Sequence, residues 1–75
     1  MDKEFLKTLW ALRFEKMCKT AADSAWNYQE LLDQCLVEWG HDSNPAQILS
    51  TLVREERAHE KLAERLIDIL KNEGS

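Results

Sequence analysis

Gly40-His41-Asp42-Ser43-Asn44-Pro45 is the one cluster of turn-forming residues between residue 3 and the Gly74-Ser75 tail. Its reading decides the fold. Gly40 suits the left-handed conformation that follows a helix C-terminus. Asn44 reads as an N-cap, Pro45 as the first helical residue and Gln47 as the return half of a capping box. The chain then divides into a first helix over about 3–39, a turn over 40–44 and a second helix over about 45–72. Joined so tightly, the two run antiparallel. Thr20-Ala21-Ala22-Asp23 also resembles a capping box, so a break in the first helix near 20–23 is the alternative to a continuous one. His41 reads as an exposed loop histidine before it reads as a ligand.

Composition agrees with an all-α hairpin in one small domain. Three of 75 residues are Gly or Pro, too few for the turns of a sandwich or a βαβ chain. At 44% hydrophobic and 32% charged, the chain is too apolar for disorder and too charged for a membrane span. A net charge of −4 and no basic cluster exclude nucleic acid as the expected partner. Chains of this size usually add a metal, disulfides or a partner subunit to a small core. Cys18 and Cys35 on one helix would stand ~25 Å apart, far beyond bridging distance. They read as small buried thiols in a reducing compartment. With no charged-then-apolar leader, the expected location is cytoplasmic. Metal and partner subunit are left as supplements.

Hydrophobic periodicity places the faces. In the second helix Leu49, Leu52, Glu56, His59, Ala63, Leu66 and Leu70 follow alternating steps of three and four, the rhythm of a packed seam. The first helix has a matching stripe of Leu6, Trp10, Phe14, Met17, Ala21, Ala25, Tyr28, Leu32, Cys35 and Trp39, with one stutter between Ala21 and Ala25. With the turn centred at 42–43, the second helix reaches back to about residue 13. Phe5, Leu6, Leu9, Trp10 and Leu12 then overhang uncovered, at ~1.5–3 kcal/mol of lost burial for each large side chain. Leu12, Trp26 and Val37 lie off the main stripe and suggest a second apolar contact. A homodimer or higher even oligomer forming a four-helix bundle would close such a core.

Two seam positions that should hold leucine hold Glu56 and His59. Residues i and i+3 on a helix point the same way, and a buried carboxylate must be paired, protonated or metal-bound. Glu-x-x-His projecting into a bundle core suits a metal, with a carboxylate oxygen beside an imidazole. The alternative is a buried hydrogen-bonded pair that sets register in a non-enzymatic hairpin mediating protein–protein interaction. Tyr28, Trp10, Trp26 and Trp39 read as packing anchors before anything else. The run from Glu55 to Arg65 mixes both signs and reads as a solvated face. Neither a nucleophile with a local base nor a glycine-rich phosphate loop is visible.

Arg54-Glu55-Glu56-Arg57-Ala58-His59-Glu60-Lys61-Leu62, followed by Ala63 to Leu70, resembles the second helix of the ferritin-like superfamily, which includes rubrerythrins, bacterioferritins and half-length encapsulated ferritins. The encapsulated proteins are similar in architecture too, being two-helix protomers with a di-iron site across a dimer interface. The resemblance covers about residues 20–70. It implies an iron site, as far as a di-iron pair with ferroxidase or storage activity, zinc being the alternative ion. Glu56 and His59 match the family's Glu-x-x-His, and Glu55 would be an outer ligand. Tyr28 falls where the family has a tyrosine, but seven residues earlier Ala21 stands in place of the metal-binding glutamate. Glu30 has the right height but lies about 160° around the helix from Tyr28. Glu15 is nearly two turns from the level of Glu56, and Asp23 points away from the stripe. A cargo-docking peptide of the encapsulated type is not apparent in Lys71 to Ser75, although encapsulation stays compatible with the pattern.

Overall fold

A computed structural model of the chain describes residues 2–72. Glu73, Gly74 and Ser75, the end of the Lys71 to Ser75 segment, lie outside them. Helix α1 spans Lys3–Trp39 and helix α2 spans Asn44–Asn72. The two pack antiparallel into a rod of 54 × 15 × 12 Å. At ~1.5 Å per residue, the 37 residues of α1 account for the full length of that rod. No strand occurs among the described residues. Helix α1 is continuous through Thr20–Asp23, so the second capping box there is not used.

The helix ends are fixed by hydrogen bonds that hold their orphan backbone groups. The Asp2 carboxylate accepts from the Glu4 N–H at 3.2 Å. At the other end of α1 the Gly40 N–H donates to the Leu36 carbonyl, with Gly40 at φ 87° and ψ 168°, a region essentially restricted to glycine. Helix α2 is capped one residue earlier than the Asn44 reading. Ser43 Oγ accepts from the Ala46 N–H at 3.4 Å and donates to the Gly40 carbonyl at 2.8 Å. One hydroxyl thus caps α2 and ties the turn. Pro45, which has no N–H to satisfy, falls inside the first turn, and Gln47 closes the first backbone bond, to the Ser43 carbonyl.

The interhelical seam keeps Phe14, Ala21, Ala25, Tyr28, Leu32 and Cys35 of the expected α1 stripe and Leu49, Glu56, Ala63 and Leu70 of the α2 stripe, and moves one position on at Trp10, Met17, Leu52, His59 and Leu66. On α2 the inward residues are Ala46, Leu49, Val53, Glu56, Glu60, Ala63, Ile67 and Leu70, all buried or half-buried. On α1 they are Ala11, Phe14, Cys18, Ala21, Ala25, Tyr28, Leu32 and Cys35. Both follow an unbroken three-four rhythm, so the stutter in α1 disappears. It arose from placing Trp10 and Met17 in the seam, where the smaller Ala11 and Cys18 let the helices approach. The core that results is made of small residues: Ala21, Ala25, Leu32, Cys35, Ala46 and Ala63 are buried. No large side chain among the described residues is fully buried.

The overhang is also corrected. Leu70 lines clefts with Leu6, Lys7, Trp10 and Ala11, so α2 reaches the first turns of α1 rather than stopping near residue 13. Leu32 and Cys35 pack with Ala46 and Leu49, which puts the chain reversal nearer Gly40 than 42–43 and moves the far end by about one turn. Leu9 is half-buried. Phe5, Leu6, Trp10 and Leu12 are exposed because of the direction they face, not for want of a neighbouring helix.

Candidate functional site

What the hairpin lacks is cover on one side. Leu6, Trp10, Met17 and Leu31 of α1 and Ile48, Leu62, Leu66 and Ile69 of α2 are exposed, with Leu52 half-buried among them. In both helices these residues follow the seam rhythm displaced to one flank. A groove lined by Arg13, Met17, Thr20, Ala21, Glu56 and His59 shows that the two flanks lie on the same side of the rod. The other side carries Glu15, Ala22 and Gln29 of α1 with Ser50, Arg57, Glu64 and Lys71 of α2, mostly polar, with Leu12 and Trp26 exposed one position past Ala11 and Ala25. The uncovered flank is apolar along most of α2 and over the first turns of α1, with Thr20, Ser24 and Asn27 between Met17 and Leu31. Leu12, Trp26 and Val37 are exposed on the outer surface of α1, the place from which a second contact was expected.

The accessible area puts a magnitude on this. The chain exposes 5901 Å², whereas a compact monomer of its mass would expose ~4,800 Å². The excess of ~1,100 Å² reflects a two-helix rod of 54 × 15 × 12 Å with no third layer to cover it.

Glu56 and His59 interrupt the apolar flank at its middle. The central residue of α1 is Ala21 and that of α2 is Ala58, and the groove that holds Ala21, Glu56 and His59 lies at that level. His59 Nδ1 is 3.8 Å from Glu56 Oε1, with the His59 side chain 62% and the Glu56 side chain 23% exposed. Glu56 therefore points into the seam while His59 stands on its apolar edge. Within one chain they are not the buried pair that the seam reading expected, because the seam passes through Glu60 and leaves His59 one position outside it. Arg13, whose guanidinium lies 4.6 Å from the centroid of the Trp10 ring, brings a cation to the same groove.

The remaining candidates are not gathered here. Tyr28 is half-buried in the seam and does not line the groove. Glu30 is exposed, on the surface of α1 turned from α2. Glu55 is exposed and lines a separate cleft with Asn44, Gln47, Ile48, Thr51 and Leu52. His41 is exposed in the turn. Ala21, in the place of a first-helix carboxylate, is buried. One chain thus offers two donors in the groove, 3.8 Å apart. Small side-chain rotations would bring both onto one ion at the ~2.0–2.2 Å bond lengths of zinc. Two chains would offer four donors, enough to close one tetrahedral site.

The structure also brings together residues that sequence reasoning did not connect: Cys18 of α1 with Glu60 and Glu64 of α2, whose donor atoms lie within 4.8 Å of one another. Both thiols are free, Cys18 half-buried and Cys35 buried. No helix among the described residues is long and apolar enough to cross a membrane. No family model, curated protein or solved structure matches the chain.

Proposed function

We propose that this chain is a ferritin-like metal-binding protein that assembles as a homodimer, or a higher even oligomer, with Glu56 and His59 of two hairpins facing one another inside a four-helix bundle. The observation that carries this is the position of the pair: at mid-length, in the middle of an uncovered apolar flank. If two antiparallel rods overlap fully, the two-fold axis crosses them at mid-length. Only residues at that level then meet their own symmetry mates. Covering the flank would remove the pair from water, where the carboxylate needs a counter-charge; Arg13 and Lys16 of the same groove are one source and a metal ion ligated by both donors is the other. Iron or zinc is the ion proposed, and bound iron would bring oxidation chemistry with dioxygen. The protein's part is to hold the ion between two helix pairs and exclude bulk water with Leu52, Leu62, Met17 and their mates.

The test is metal analysis of protein purified in the presence of iron and of zinc. The expected result, in a Cys18→Ser background that leaves only this pair, is one or two ions per pair of chains, lost in His59→Ala with helix content retained. Unchanged stoichiometry in that variant would overturn the assignment. A second reading is favoured by Ala21, which leaves the groove without a first-helix carboxylate: a non-enzymatic hairpin in which Glu56 and His59 set the register of a protein–protein contact. On that reading the wild-type protein associates but retains no metal at this pair.

A further inference from the structure

We infer that Cys18, Glu60 and Glu64 form a second cation site, separate from the Glu56–His59 pair and suited to zinc or a similar borderline divalent ion. The thiol sulfur and one carboxylate oxygen from each glutamate lie within 4.8 Å of one another. They converge from both helices. Glu60 and Glu64 are one turn apart on α2 and so project from the same side, while Cys18 faces them from α1, its Sγ 3.8 Å from the Glu60 carbonyl oxygen.

The seam itself points to a ligand role. Cys18 and Glu60 both stand at inward positions, and the equivalent inward positions of α2 one heptad either side are Val53 and Ile67. Packing would select another apolar residue at 60. Instead a carboxylate stands there with its side chain 23% exposed, held by Arg57 at 3.3 Å. One thiolate and two carboxylates are three protein ligands, leaving a fourth, water-filled position on a tetrahedral ion. On binding, the Cys18 S–H bond is exchanged for a sulfur–metal bond and the proton passes to solvent, with nothing oxidised or reduced. The soft sulfur favours zinc over magnesium or calcium. Unlike the Glu56–His59 pair, this site is complete within one chain, and it opens toward the polar flank through Glu64.

Cobalt(II) titrated into the reduced full-length protein tests this, because only sulfur ligation produces the near-ultraviolet thiolate-to-cobalt charge-transfer band. The expected result is that band at one cobalt per chain, kept in Cys35→Ser and in His59→Ala and abolished in Cys18→Ser. Glu60→Gln with Glu64→Gln, which keeps the thiol and the shape of both side chains, should weaken cobalt binding by more than the roughly 10–100-fold that loss of an outer-shell partner costs. Absence of the band in wild type, or its persistence in Cys18→Ser, would overturn the inference. Either outcome leaves the Glu56–His59 assignment untouched, since that pair supplies no sulfur.

Discussion

Replacing Leu62 and Leu66 by alanine removes apolar surface from the uncovered flank, together with the part of each side chain that already packs within the hairpin. The two residues are 53% and 37% exposed in the single chain, so covering them would bury roughly nine-tenths of one leucine per protomer. Full burial of a leucine contributes ~1.5–3 kcal/mol, and a two-fold interface contains each substitution twice. The expected loss of association free energy is therefore ~3–5 kcal/mol per dimer, or on the order of a 10²–10⁴-fold rise in the dissociation constant. Sedimentation equilibrium on wild type and variant measures it, with circular dichroism to confirm that both helices remain. Val37→Ser serves as the control: Val37 is 87% exposed on the outer face of α1 and should leave the dissociation constant unchanged. A wild-type monomer with well-protected helices, or a double variant that associates as tightly as wild type, would refute the reasoning.

Other expectations follow from the turn and the mid-length pair. Gly40→Ala should destabilise the hairpin by ~1–3 kcal/mol in urea melts, since φ 87° with ψ 168° is closed to residues with a Cβ. The loss would be conformational, because no atom lies within 4 Å of the added methyl. In a Cys18→Ser background, Glu56→Leu with His59→Leu should raise the melting temperature of the metal-free assembly, by ~1–4 kcal/mol of stability, and remove any further rise on adding metal. A double variant less stable than chelator-treated wild type would mean that the pair already makes net favourable bonds without an ion.

The two helices, their boundaries to within a residue and the tight turn were legible because a chain so poor in Gly and Pro concentrates its breaks at 40–45. The register was not. Two neighbouring stripes on α2 both read as three-four seams, one through Leu52, His59 and Leu66 and one through Val53, Glu60 and Ile67. Hydrophobicity alone does not rank them. The choice is made by the partner helix, which presents Ala21, Ala25 and Cys18 and so accepts the stripe that allows close approach. A reading that favours large apolar residues takes Trp10 and Met17 for core when they belong to the flank. The prominence of Glu56 and His59 came through because i, i+3 spacing is local. The approach of Cys18 to Glu60, 42 residues apart, depends on the register of the whole hairpin and could not be seen without it.

The central claim is that two hairpins pair antiparallel over the apolar flank and bring both Glu56–His59 pairs to one level. It is tested most directly by an interchain distance. With Cys18 and Cys35 replaced by serine and a single spin label at His41→Cys, pulsed dipolar spectroscopy reports the separation of the two turns. Full antiparallel overlap of the 54 Å rods predicts turns roughly 50 Å apart, set by the length of α1 at ~1.5 Å per residue. A label at Ala58→Cys should be close to its mate. Turns found side by side, or labels at both positions with no interchain coupling, would contradict the account.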